Sequence, residues 1–172
     1  IVTEQCTISG HFSVWTEASL LKNTVHWTGK PNTMSGIAIV DGEQYLFLGQ
    51  SNSKTMKNMT VESTDIDAFS TFITYTNEYI RLSVRFTSPL LIDDLYYASR
   101  PVAYCKVSYE SLDGKAHNVK IRFNATEELV LNLKGEGRAL AHPVSLSGIT
   151  GIKMGNGNQR PLWRDGDDIR ID

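Results

Sequence analysis

From residue 80 to residue 87 the chain alternates without a break, Ile80, Leu82, Val84 and Phe86 against Arg81, Ser83, Arg85 and Thr87. Successive side chains of a strand point to opposite faces, so this stretch predicts a strand with one face in a core and the other in water. A second alternation sets Ala103, Cys105, Val107 and Tyr109 in one row. Past Asp113-Gly114, Val119, Ile121, Phe123 and Ala125 form another. The two rows predict a hairpin with a slightly long loop. Residues 36–40 and 43–48 flank Asp41-Gly42, a dipeptide that readily takes the positive φ of a type I′ turn, and predict a further hairpin. Shorter strands are expected over residues 7–14, 59–63, 72–76, 128–133, 151–154 and 169–171.

Helical spacing is scarce, because no window of a dozen residues keeps apolar positions three and four apart without interruption. At most one or two helical turns are expected. Some ten short strands separated by turn residues predict an all-β chain, a two-layer antiparallel β-sandwich with long loops, in preference to a closed barrel. Residues 1–172 are expected to form a single domain. Three stretches break the alternation and are expected to be long loops, residues 22–35, 87–101 and 135–168; loops of a sandwich are where function usually resides.

Composition narrows the function. Seventeen Lys and Arg against nineteen Asp and Glu give a net charge of −2, so no electrostatic footprint for nucleic acid is present. Apolar residues at 41% and charged residues at 21% suffice for a packed core rather than disorder. No apolar run approaches the roughly 20 residues of a membrane-spanning helix, so membrane insertion is not expected. The first residues lack the cationic and apolar regions of a secretory signal. Cys6 and Cys105 have no CxxC spacing and read as half-buried core residues.

Catalytic patterns are missing. Gly29-Lys30 lacks the earlier glycine of a phosphate-binding loop and precedes Pro31, which has no N–H to offer. His11, His26, His117 and His142 stand apart, with no spacing that puts two imidazoles on one metal, and no cofactor is expected. Asp93 and Asp94 are adjacent and in extended chain would point in opposite directions, so they cannot flank one bond. The plainer reading is that one caps a turn through the backbone while the other pairs with Arg100. The run His26-Trp27-Thr28-Gly29-Lys30-Pro31 sets a large ring in a polar loop, where Trp27 would stack on a sugar, brace a partner domain or fold back onto its own sheet. Trp163 carries the same readings.

Several segments together resemble the N-terminal region of the glutaminase A family of bacteria and fungi, large hydrolases of the six-hairpin glycosidase superfamily. They are Phe12-Ser13-Val14-Trp15, then the run from His26 to Pro31 followed by Ser35-Gly36. Further on come Val40-Asp41-Gly42 with Tyr45 to Gly49, and Thr87-Ser88-Pro89-Leu90-Leu91-Ile92-Asp93-Asp94-Leu95 leading to Ser99-Arg100-Pro101-Val102. The resemblance implies an N-terminal β-sandwich that precedes an (α/α)6 toroid holding the catalytic carboxylates. The present chain would then not be catalytic itself. It would come from a larger precursor that is secreted, periplasmic or on the cell surface, and its partner would be the C-terminal catalytic domain of that precursor. Interface or ligand candidates are His26, Trp27, Lys30, Asp93, Asp94, Arg100 and Trp163. The rival expectation is a free-standing carbohydrate-binding module in which Trp27 or Trp163 supplies the stacking platform for a glycan.

Overall fold

A computed structural model describes residues 3–8, 11–16, 34–88, 91–99, 102–131 and 137–157. The chain divides into two compact units, Ile1–Asn124 and Ala125–Asp172. In the first unit lie β1 (Thr3–Ile8), β2 (His11–Thr16), β3 (Met34–Val40), β4 (Glu43–Leu48), β5 (Lys57–Asn58), β6 (Thr60–Ile66), β7 (Ser70–Thr76), β8 (Ile80–Thr87), the four-residue helix α1 (Leu95–Ala98), β9 (Tyr104–Ser111) and β10 (Val119–Ala125). The second unit holds a 3-10 turn at Glu127–Leu129, β11 (Ala139–Leu146) and β12 (Ile149–Asn156).

Two four-stranded sheets make the sandwich, in the orders β10-β3-β4-β5 and β6-β7-β8-β9. The β3–β4, β6–β7, β7–β8 and β8–β9 pairings are antiparallel, and the two-residue strand β5 runs parallel to β4. The expected β3–β4 hairpin forms, and its turn residues Asp41 (φ 50°) and Gly42 (φ 94°) both take the left-handed backbone that the Asp-Gly pair makes accessible. The core joins the two sheets: Ala38, Val40, Tyr45, Phe47 and Leu48 from one meet Ile73, Tyr75, Ile80, Leu82, Val84 and Phe86 from the other, with Met59 between. Phe47 is fully buried, its ring 5.5 Å from Tyr75 across the layers and 5.6 Å edge-on from Phe123 within its own sheet. Gly36 makes room for it, since a Cβ there would overlap the Phe47 ring.

On the outer face of the second sheet, Arg81 pairs with Glu110 of the neighbouring strand (2.6 Å) and reaches Glu62 two strands away (2.8 Å). Arg85 lies over the ring of its cross-strand partner Phe72 at 4.8 Å. Both turns of the β6–β7–β8 meander close on a short polar side chain. Asp67 Oδ1 accepts from Phe69 N and Ser70 N, and Asn77 Oδ1 from Tyr79 N and Ile80 N.

Four expectations need correction. The rows at 103–109 and 119–125 are strands but not a hairpin: β9 pairs with β8 in one sheet, β10 with β3 in the other, and residues 112–118 pass between the layers. Both are edge strands, and alternation marks the buried face of an edge strand without naming its partner. Residues 7–14 are not one strand but the end of β1 and the start of β2, which pair with each other from Ile8 and His11 outward. Residues 128–133 begin in a 3-10 turn, opened by Thr126 and two glutamates, rather than in a strand. Within the predicted loop 135–168, β11 and β12 form a regular hairpin over Ser147 (φ 37°) and Gly148 (φ 86°), and the strand expected at residues 151–154 is the centre of β12. In addition, Cys105 is exposed on β9 rather than half-buried. The predicted strand 169–171 lies outside the described residues.

Candidate functional site

The connection from β8 to β9 carries the only two candidate residues that fall among the described ones, Asp93 and Asp94. Asp94 is extended (φ −134°, ψ 90°) and caps α1: its Oδ1 accepts from Tyr96 N (3.1 Å) and Tyr97 N (3.3 Å). Its own N–H donates to Leu91 O (3.0 Å), and its carbonyl accepts from Ala98 N (2.9 Å). Ser99 closes the turn by donating from Oγ to Tyr96 O (3.3 Å). One aspartate of the pair thus serves as the cap the sequence suggested. Asp93 is exposed beside it. His26, Trp27, Lys30, Arg100 and Trp163 lie outside the described residues, so the structure brings together Asp93 and Asp94 alone.

What the cap holds out is apolar. Ile92 is 80% exposed, Leu95 79% and Tyr96 66%, and Leu91, Tyr97, Val102 and Tyr104 are exposed around them. Tyr96 and Tyr97 meet edge to face at 5.4 Å. None of the four residues of α1 is buried. Contiguous exposed apolar side chains on a soluble domain mark a surface for another protein or a ligand. Sequence reasoning picked this segment for its aspartates and missed the apolar residues around them, although Leu90-Leu91-Ile92 and Leu95-Tyr96-Tyr97 were there to be read.

A second constellation was also missed. His117 stands between two carboxylates, Nδ1 2.6 Å from Asp41 Oδ2 and Nε2 2.8 Å from Asp113 Oδ1. Its side chain is 7% exposed. Asp41 Oδ1 also accepts from Asn118 N, Asp41 N donates to Asn118 O, and Asp113 accepts from Lys115 N and Ser111 Oγ. The hydrogen bonds from His117 hold Asp41 and Asp113 below the usual carboxylate range, and those two carboxylates raise His117 above the usual imidazole value. The Tyr79 ring, from the β7–β8 turn, lies 5.5 Å from the imidazole. An open concavity of about 320 Å³, lined by Ile39, Asp41, Gly42, Asn118 and Lys120, borders the group.

Fold and site define a β-sandwich module with an exposed apolar connection at one end of a sheet. No helix among the described residues is long and apolar enough to cross a membrane. The chain belongs to the family described as Domain of unknown function (DUF5127), whose model matches residues 69–171. It is similar to Glutaminase A of Aspergillus oryzae, 30% identical over 103 residues that make up 59% of this chain and 15% of that protein. The matched segment is thus a small part of that relative's length. No solved structure matches the chain.

Proposed function

We propose that this chain is the non-catalytic N-terminal β-sandwich module of a secreted, periplasmic or surface-bound glutaminase-like hydrolase, docked on a following (α/α)6 catalytic domain of the same polypeptide. The observation that carries the docking is the set of exposed apolar side chains between residues 91 and 104, presented by the Asp94-capped turn. The family match and the similarity to a small part of Glutaminase A support the rest. Docking removes Ile92, Leu95 and Tyr96 from water over an interface of about 600 to 1,500 Å². The module contributes shape and buried area; bond cleavage belongs to its neighbour.

Hydrogen exchange tests this on two proteins, the 172-residue chain and a polypeptide extended through the domain that follows it. Amides of residues 91–99 are expected to exchange rapidly in the first and to be slowed at least tenfold in the second. Equal rates would refute docking through this segment.

A further inference from the structure

We propose that His117, carrying a proton on each ring nitrogen, is a pH-sensitive clasp that ties the β3–β4 turn to the passage between the two sheets. The geometry itself demands the charged form. A neutral imidazole has one N–H to donate and one lone pair, whereas here both nitrogens face a carboxylate oxygen within 2.8 Å. Loss of one proton turns one of these contacts from a charge-assisted hydrogen bond into a lone pair facing an anion. The tie matters for the fold because residues 112–118 carry the chain from the second sheet to the first. On one side Leu112 N donates to Tyr79 O; on the other Asp41 N donates to Asn118 O and Asn118 N donates to Asp41 Oδ1.

The groups that face His117 among the described residues are Asp41 from the β3–β4 turn, Asp113 from its own passage and Tyr79 from the β7–β8 turn. Lys115 is drawn to Asp113 at 3.7 Å, and Glu78 beside Tyr79 pairs with Lys57 at 3.8 Å. Tyr79 is held above the ordinary tyrosine value, chiefly by Glu78, and stays neutral through the range of interest. His117 is raised above 6.5, so its contribution is complete below that value and fades as pH rises through the folded-state pKa. Asp41 and Asp113 are lowered below 3.8, so theirs is complete above that value and fades only in stronger acid. The clasp is therefore closed between the ordinary carboxylate and imidazole values and opens as pH rises through the raised pKa of His117.

The test follows thermal unfolding of the 172-residue chain and its His117→Gln variant between about pH 6 and pH 9, with the His117 ring titrated by NMR in the unsubstituted protein. The expected result is a Tm gap of several degrees at the lower pH that shrinks by at least half at the higher, and a His117 pKa above 6.5. Should the variant not fold, the NMR titration decides, with Asp113→Asn expected to bring the His117 pKa down. A gap independent of pH, or a pKa at or below 6.5, would overturn the proposal.

Discussion

The two ends of the β8–β9 ladder make opposite use of aspartate. At the end where Ile80 meets Ser111, Asp41 and Asp113 converge on His117, and one of these bonds spans 76 residues. Where Thr87 meets Tyr104, the Asp94 side chain accepts from amides two and three residues on, in a turn whose apolar residues are exposed. The first end is fastened by side-chain bonds between distant elements, and the second is shaped by bonds within its own turn. Local capping holds a segment in shape without holding it down, which suits a surface kept ready for a partner.

Substitutions can break or sharpen this contrast. The largest effect is expected in the core between the ends: Phe47→Ala should cost about 3–5 kcal/mol in a denaturant melt, because the ring fills the space between Tyr75, Phe123 and Gly36. Both ends should loosen together in that variant; if only one did, they would not share a core. Asp94→Ala should cost about 0.5–2 kcal/mol of local turn stability, read as faster exchange at residues 96–99, with almost no change in Tm. A fall in Tm as large as that of His117→Gln would mean that the apolar end is as firmly fastened as the polar one. Smallest of all, Leu95→Ser should stay within about 0.5 kcal/mol in the 172-residue chain, since the side chain it trims is already in water.

Faces were easier to read from the sequence than partners. Residues 80–87 and the pair around Asp41-Gly42 announce themselves because the alternation and the turn are local. The partner of β10 does not, since this strand joins β3, far away in sequence, and adjacency to β9 in the chain suggested the wrong match. Half of the β11–β12 hairpin was read, as the strand expected at residues 151–154 lies inside β12; the other half was legible in principle, since Leu140, His142, Val144 and Leu146 alternate up to Ser147-Gly148. The Asp94 cap was anticipated because it acts within three residues. His117 looked isolated because Asp41, which gives it a role, becomes its neighbour only after both sheets have closed.

The passage of the chain from one layer to the other also has a kinetic consequence. Strands β7 to β9 each lie next to their predecessor, so that sheet can zip up by short loop closures. Seating β10 on β3 instead closes a loop 77 residues long at Asp41 and Asn118, with a larger entropy loss before any contact compensates for it. The meander should therefore gain protection first during refolding, and the partner sheet should complete itself last, on a template already in place.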